Sequence, residues 1–293
     1  MDLKTPKLAI AIAALTLMLG VSYYFIEYRT FGSPRLSRAL TAEFSYLERF
    51  FQDEPEESLT SMATSTSIVK VPIIIYHSVR PYIPGESVMQ DRFDITPELF
   101  EQQLIYIRDH GYTTISPDAL VLDIKAGTTT PTIKPVMLTF DDGWENQYKY
   151  AFPLLEKYHM TATFYVYTKP IDNNKLSYLS WDQLREMDAA GMTIGSHTLT
   201  HPLLKRLATA DIQNEIVMSK KIIEGELKKP VFHFAQPFGY SSSEIEKIIM
   251  NAGYRTARGT YRGVYHSDAD IFNLQGYFVS DTFGEFVYIL NRR

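Results

Sequence analysis

Short apolar runs alternate with stretches of helical periodicity along most of the chain beyond residue 68. The apolar runs predict buried strands at residues 71–77, 112–116, 136–140, 162–167, 192–196, 231–235 and 254–257. The stretches with helical spacing lie between them, at 97–110, 117–124, 147–157, 181–190, 209–227 and 243–252. Strands that alternate with helices form parallel βαβ units. The pattern therefore predicts an α/β fold with a largely parallel sheet of about seven strands, either open or closed as a barrel.

The first part of the chain has a different pattern, because residues 8–26 are apolar and contain no charged side chain. A helix of this length spans about 28 Å, which is close to the thickness of the hydrocarbon core of a bilayer. The stretch predicts a single N-terminal transmembrane helix within an anchor at residues 1–30; a cleaved signal peptide and a buried core helix are the alternatives. Two lysines precede the stretch and three arginines follow it, so charge does not define its orientation.

A tether is predicted between this anchor and the main domain. Residues 40–51 have the spacing of an amphipathic helix, and a tract rich in Ser, Thr and Glu follows them. Such a tract buries too little apolar surface to fold alone. Residues 31–67 are therefore expected to be a juxtamembrane segment and flexible linker, and residues 68–293 the catalytic domain.

The composition excludes several kinds of function. The 293 residues include 29 Lys and Arg against 34 Asp and Glu, a net charge of −5, which argues against nucleic acid as the main partner. The chain has no cysteine. Disulfides, thiolate zinc sites, cysteine nucleophiles and a lipoprotein anchor are therefore excluded, and any metal must be held by His, Asp or Glu.

Polar residues follow four of the predicted strands at the point where each strand ends. They are His77 after 71–76, Asp141 and Asp142 after 136–140, His197 and His201 after 192–196, and residues 236–239 after 231–235. Because parallel α/β sheets gather functional groups at the carboxyl ends of their strands, we expect these residues to meet at one mouth.

The residue types at these strand ends are those of a hydrolytic metal site. Two adjacent carboxylates repel each other, and a cation on Asp142 would relieve that repulsion and leave Asp141 free as a base. His197 and His201, one helical turn apart, would point to the same side and supply two imidazole ligands. One carboxylate and two imidazoles leave positions open for water and substrate. Zinc suits these ligands best, although cobalt, nickel or iron would fit the same set.

Each motif alone has a simpler interpretation. An isolated Asp-Asp-Gly is most often a turn, and pairs of histidines also occur on solvated helix faces. Their joint occurrence, each at a predicted strand end, favours a functional site. The other histidines, at positions 110, 159, 233 and 266, have no such context and are interpreted as structural.

Three segments resemble the motifs of a known family, the polysaccharide deacetylases of carbohydrate esterase family four, which contain the NodB-homology domain. They read TFDDG at 139–143, SHTLTHP at 196–202 and QPFG at 236–239, and the resemblance covers residues 71–279. It implies a deformed (β/α) barrel and a divalent metal held by Asp142, His197 and His201. It also implies that Asp141 is the general base and that the backbone N–H of Phe238 stabilises the oxyanion.

Two departures from the family pattern concern catalytic groups. Ala235 occupies the place where the third motif usually carries an arginine that orients the catalytic aspartate, so this arginine is missing or is replaced from elsewhere. The segment 273–277 lacks the histidine of the last motif, but Ile75, Tyr76 and His77 resemble that motif moved to the front. This permuted order is that of the branch acting on poly-β-1,6-N-acetylglucosamine, and it implies His77 as general acid; a buried strand-end histidine is the alternative.

Together with the apolar stretch at 8–26, the resemblance implies a membrane-anchored enzyme of the cell envelope that removes N-acetyl groups from an amino-sugar polymer and releases acetate. Poly-N-acetylglucosamine, peptidoglycan and chitin-like glycans are all candidate substrates, and the catalytic domain is expected to face outward. Trp144 directly follows the first motif and offers an aromatic surface for a sugar ring. A metal-dependent amidohydrolase on a non-sugar amide and a catalytically inactive glycan-binding module are the alternatives.

Overall fold

A computed structural model of the chain describes residues 67–85, 93–129, 133–279 and 282–292. The predicted transmembrane helix at 8–26, and nearly all of the predicted linker, lie outside these residues, so the division into anchor, linker and catalytic domain stays a prediction. Within the described ranges, no helix combines the length and the apolar character needed to cross a bilayer.

The described part of the chain contains twelve strands and eight α-helices. The strands are β1 (Val69–Lys70), β2 (Ile73–Tyr76), β3 (Ser78–Val79), β4 (Asp94–Ile95), β5 (Tyr112–Thr114), β6 (Lys134–Phe140), β7 (Thr163–Val166), β8 (Thr193–Ser196), β9 (His233–Ala235), β10 (Thr256–Arg258), β11 (Tyr265–His266) and β12 (Tyr277–Phe278). The helices are α1 (Pro97–Asp109), α2 (Pro117–Ala126), α3 (Phe152–Tyr158), α4 (Thr168–Asp172), α5 (Trp181–Ala189), α6 (Thr209–Leu227), α7 (Ser243–Asn251) and α8 (Phe283–Asn291).

One parallel sheet carries the fold. Its strand order is β10-β9-β8-β7-β6-β2-β12, and β5 pairs with the first half of β6. A further parallel bridge joins Arg258, at the end of β10, to Leu274, three positions before β12. The sheet therefore curls into a half-barrel. The predicted α/β class and the parallel sheet of about seven strands are confirmed, and two small sheets, β1 with β11 and β3 with β4, lie beside it.

The central strands are buried on both faces, which explains their continuous apolar runs. Ile73, Ile74 and Ile75 are consecutive in β2, and each is at most 1% exposed. Alternation of apolar and polar positions is absent because helices cover one face of the sheet and side chains fill the inside of its curve. In the interior, the rings of Phe140 and Phe164 stack at 4.7 Å.

Helix boundaries follow local signals in the sequence. The side chains of Thr96 and Ser116 accept hydrogen bonds from backbone N–H groups three residues later, at the starts of α1 and α2, and a proline follows each of them. Gly127 ends α2 in the left-handed conformation, with φ of 73°. All seven apolar runs and all six helical stretches of the sequence overlap an observed strand or helix, and the elements that were not predicted include the very short β12 and the helices α4 and α8.

Candidate active site

The carboxyl ends of β2, β6, β7, β8 and β9 meet at one edge of the sheet, because these strands are parallel neighbours. Backbone pairing continues one residue beyond two of them: the N–H of Asp141 donates to Tyr76 O at 2.9 Å, and that of His197 to Val166 O at 2.8 Å. These bonds place the first functional residue after β6 and after β8 in register with the neighbouring strands. The expectation that polar strand ends share one mouth is therefore met for β6 and β8.

Asp142, His197 and His201 come together at this edge. Asp142 Oδ1 lies 3.7 Å from His197 Nε2 and 3.4 Å from His201 Nε2, and one ligand atom from each residue lies within 4.8 Å of the others. The turn that presents Asp142 is left-handed, with φ of 74° at Asp142 and 72° at Gly143. A side chain at position 143 would meet Val166 at 2.9 Å, so this turn requires glycine.

The two histidines are not brought together by a helix, so that part of the sequence interpretation is wrong. They lie on an irregular loop after β8, in which Thr198 and His201 both have positive φ, 75° and 60°. Their rings are 4.7 Å apart. The strand ends at Ser196, a short 3-10 helix follows only at Leu204–Arg206, and the next α-helix, α6, begins at Thr209.

The protonation states of these residues suit a divalent metal ion. His197 Nδ1 lies 2.7 Å from Ala235 O. Because a carbonyl oxygen only accepts hydrogen bonds, Nδ1 carries the proton of the ring. The other nitrogen, Nε2, therefore faces Asp142 with its lone pair. Burial lowers the pKa of His197 to about 3 and also lowers that of His201, so both imidazoles are neutral. Burial and the charge of Asp141 raise the pKa of Asp142, which makes its ionised form costly without a cation.

The spacing of the three residues also fits a single ion. Two ligand atoms each about 2.1 Å from one tetrahedral ion lie roughly 3.4 Å apart, and the Asp142–His distances are 3.4 and 3.7 Å. One carboxylate oxygen and two imidazole nitrogens form a donor set that zinc accepts. The residues present therefore fit a divalent ion.

Asp141 is held by an arginine that the motif analysis did not identify. The Nη2 group of Arg258 donates to both carboxylate oxygens of Asp141, and its Nη1 donates to Gly259 O at 2.8 Å. Both side chains of the pair are buried. Burial raises the pKa of Asp141, but the positive charge of Arg258 outweighs this and holds the pKa below its ordinary value. Asp141 is therefore a carboxylate at neutral pH.

The position of Arg258 explains the missing arginine of the third motif. Arg258 is the parallel register partner of Ala235, on the neighbouring strand β10. The guanidinium is therefore supplied by β10, the strand next to the one that carries the arginine in the family motif, and it still reaches Asp141. In the sequence, Arg258 is marked only by its place directly after the run 254–257.

His77 lies beside Asp141, at the end of β2. Its Nε2 is 4.0 Å from Asp141 Oδ2, and its ring packs between Phe93 and Phe278, at 4.8 and 5.4 Å. Gln147, which is buried, donates through Nε2 to the carbonyl oxygens of His77 at 2.6 Å and Asp141 at 2.5 Å. This amide links the two strand ends and aligns His77 with Asp141.

Aromatic side chains form the remaining wall of the site. Trp144 Nε1 donates to Asp142 Oδ2 at 3.1 Å, and its ring stacks on Tyr178 at 4.5 Å. Phe238 has a positive φ of 60° and is 56% exposed, and its ring lies 4.9 Å from the His201 ring. Trp144 therefore contacts a candidate metal ligand directly, in addition to any surface that it offers to a sugar ring.

The histidines interpreted as structural lie elsewhere in the fold. His110 and His159 follow the last residues of α1 and α3. His233 begins β9, at the opposite end of that strand from the site, and contacts Asp118 and Thr256. His266 is buried in β11.

Comparison with known proteins agrees with this geometry. The sequence matches the profile of the polysaccharide deacetylase family over residues 128–257, a range that includes both aspartates and both histidines. YxkH of Bacillus subtilis is 29% identical over 219 residues, which cover 75% of this chain and 75% of that protein. The poly-β-1,6-N-acetyl-D-glucosamine N-deacetylase of Staphylococcus aureus is 24% identical over 201 residues, covering 61% of this chain and 68% of that protein.

A solved structure supports the same family. The Streptococcus pyogenes deacetylase PplD, solved in complex with acetate, superposes with a TM-score of 0.69 and 28% identity over 73% of this chain and 93% of that one. The chain contains a polysaccharide deacetylase domain, as the motif resemblance implied. These matches support a hydrolase of the deacetylase class.

Proposed function

We propose that this protein is a metal-dependent N-deacetylase of an amino-sugar polymer, with poly-β-1,6-N-acetylglucosamine as the first substrate to test. The observation that carries the proposal is the cluster of Asp142, His197 and His201 beside the unligated pair of Asp141 and Arg258. The choice of polymer rests on the position of His77 before this cluster in the chain and on the similarity to the staphylococcal enzyme.

A divalent ion, with zinc as the best match to the ligands, would be held by Asp142, His197 and His201. When bound, such an ion polarises the acetamide carbonyl and lowers the pKa of water. Trp144 contributes to this arrangement, because its hydrogen bond to Asp142 Oδ2 leaves Oδ1 directed at the two imidazoles.

Asp141 acts as the general base. It is ionised at neutral pH, and its partner Arg258 holds the carboxylate in one orientation through both oxygens. A water molecule that attacks the acetamide carbon transfers its proton to this carboxylate as the new carbon–oxygen bond forms. Arg258 does not take part in the transfer and acts by fixing the position of Asp141.

His77 and Phe238 are proposed to act at two other points of the reaction. As the carbon–nitrogen bond breaks, the departing amine needs a proton, and we assign its donation to the protonated form of His77, which lies beside Asp141. The backbone N–H of Phe238, in a left-handed turn next to His201, is assigned to the developing oxyanion by the family motif. The products are acetate and a free amino group on the sugar.

Location is part of the same proposal. The apolar residues 8–26 are proposed to anchor the protein in a membrane, with the catalytic domain on the outer side, where envelope and extracellular glycans are accessible. Cell fractionation with protease accessibility of a C-terminal tag tests both statements.

The principal experiment measures acetate release from β-1,6-linked and β-1,4-linked N-acetylglucosamine oligomers and from peptidoglycan. Activity is expected on the β-1,6-linked oligomer, with its loss after chelation and its return when zinc is added. Full activity in protein shown to be free of metal would contradict the metal dependence. Turnover confined to small non-sugar amides would indicate the amidohydrolase alternative, and glycan binding without acetate release would indicate an inactive module.

The His77→Ala variant is expected to lower turnover by about 10²-fold, because general acid catalysis contributes at least this much. Metal content should stay equal to that of the wild type, since His77 is not among the three candidate ligands. The measurements are acetate release and metal content per chain. His110→Ala removes an exposed histidine at a helix end and serves as the control. An unaltered rate in His77→Ala would remove His77 from the mechanism.

A further inference from the structure

The loop that connects His197 to His201 has an unfavourable backbone conformation. Thr198 and His201 have φ values of 75° and 60°, although neither is glycine. The left-handed region is costly for residues with a side chain, and most of all for a β-branched residue such as threonine. Contacts from outside the loop must therefore hold this conformation.

Glu215, on helix α6, supplies the largest set of such contacts. Its Oε2 accepts hydrogen bonds from the backbone N–H groups of Leu199 at 2.9 Å and Thr200 at 2.8 Å. Its Oε1 accepts a third bond, from the Thr200 hydroxyl at 2.6 Å. Glu215 is only 8% exposed, so these are charge-assisted bonds in a largely dry environment, where they are strong.

The helix that carries Glu215 is itself tied to strand β8. Ser219, one helical turn after Glu215, forms a hydrogen bond between its hydroxyl and that of Ser196 at 2.8 Å. Ser196 is the last residue of β8 and directly precedes His197. The carboxylate of Glu215 therefore has a defined position relative to the strand end from which the loop departs.

The opposite side of the loop rests on the start of helix α4. The backbone N–H groups of Thr168 and Lys169 donate to the carbonyl oxygens of Thr198 and Leu199, at 3.3 and 2.9 Å. Within the loop, the N–H of His201 donates to Thr198 Oγ1 at 2.9 Å. The carbonyl groups of the loop therefore accept hydrogen bonds from the start of α4, and its amide groups donate to Glu215 on α6.

We infer that Glu215 is a positioning residue that fixes the loop in the conformation that places His201 Nε2 opposite Asp142 Oδ1. The inference rests on the proposed function, because it gives His201 the role of a metal ligand. Without Glu215, two consecutive backbone amides lose their acceptor, and the loop can relax toward ordinary φ values. Zinc affinity should then fall by about 10- to 100-fold, as is typical when the groups supporting a ligand are removed.

The test compares Glu215→Ala with Glu215→Gln. Glutamine can accept both amide bonds through its oxygen and donate to the Thr200 hydroxyl through its amide nitrogen, so it keeps the three contacts without the charge. Zinc affinity, measured by competition with a chromophoric chelator, should fall in the alanine variant and stay within about threefold of wild type in the glutamine variant. Such rescue by glutamine is not expected if the negative charge itself acts on the ion.

Glu224→Ala is the matched control. Glu224 lies on the same helix and also accepts a backbone hydrogen bond, from Val231 at 2.9 Å, as well as one from Lys220. Val231 precedes β9, at the end of that strand away from the site. Zinc affinity of this variant should equal that of the wild type, and an equal loss in Glu215→Ala and Glu224→Ala would overturn the inference.

Hydrogen exchange of the Leu199 and Thr200 amides in metal-free protein is the second measurement. Exchange should be faster in Glu215→Ala than in wild type and unchanged in Glu215→Gln. Should Glu215→Ala fail to fold, Thr200→Val removes only the hydroxyl bond and should lower zinc affinity by about threefold.

The outcomes separate this inference from the proposed function. Unchanged zinc affinity in Glu215→Ala, or in Thr200→Val where that variant is used, overturns the inference and leaves the proposed function intact. A wild-type protein that binds no divalent ion overturns the proposed function. In that case amide exchange still decides whether Glu215 holds the loop, because equal rates in wild type and Glu215→Ala would refute it.

Discussion

Replacing Asp141 with asparagine is expected to lower deacetylation by about 10³-fold, within the range that a general base contributes. Asparagine has nearly the same shape but cannot take a proton from the attacking water. Metal content should not change, because Asp142, and not Asp141, groups with the two histidines. Acetate release and metal content per chain are the measurements, and turnover within tenfold of wild type would contradict the assignment.

The same substitution is expected to destabilise the fold. Asp141→Asn leaves the buried guanidinium of Arg258 without a counter-charge, and breaking a buried ion pair typically costs about 3–5 kcal/mol. Urea unfolding should show this loss. The double variant Asp141→Asn with Arg258→Met removes the unpaired charge and should recover much of the stability without recovering activity. This pair of variants separates a catalytic effect of Asp141 from a loss of folded protein.

Replacing His197 with alanine is expected to abolish stoichiometric metal binding and, with it, turnover. His197 supplies one of three candidate ligands, and burial keeps its imidazole neutral and ready to bind. Metal content after dialysis and acetate release are the measurements. The carbonyl of Ala235 loses its hydrogen-bond partner in this variant, so stability should fall by about 1–3 kcal/mol while unfolding stays cooperative.

His233→Ala is the matched control for this result. His233 is also buried, and it contacts Thr256 through a hydrogen bond, but it lies at the far end of the neighbouring strand. The control variant should lose comparable stability and keep its metal. Stoichiometric metal in His197→Ala, or loss of metal in both variants, would refute the assignment of His197 as a ligand.

The site could be predicted from the sequence only where it follows directly from strand ends. Asp141 and His197 are the first residues after β6 and β8, so an apolar run of the right length was enough to place them at the mouth. The hypothesis for His77 used the same reasoning, and the structure places it 4.0 Å from Asp141. The geometry between His197 and His201 was predicted wrongly, because spacing of four residues is compatible with a loop as well as with a helical turn.

Residues that act through contacts across the fold were not predictable in this way. Arg258 follows Asp141 by 117 positions, and only the parallel pairing of β9 with β10 shows that it replaces the arginine absent at Ala235. Gln147 joins His77 to Asp141 through two carbonyl oxygens, and nothing in its sequence context marks it.

The sequence by itself determined the class of fold, the order of its main elements and the residue types available for chemistry. These properties depend on local hydrophobic periodicity and on short motifs, which are encoded in neighbouring residues. Only the tertiary structure decided how the site is supported: which arginine neutralises Asp141, how the loop before His201 is bent, and what Glu215 holds. Such contacts join residues far apart in the chain, and their formation depends on strand register and packing that no local pattern specifies.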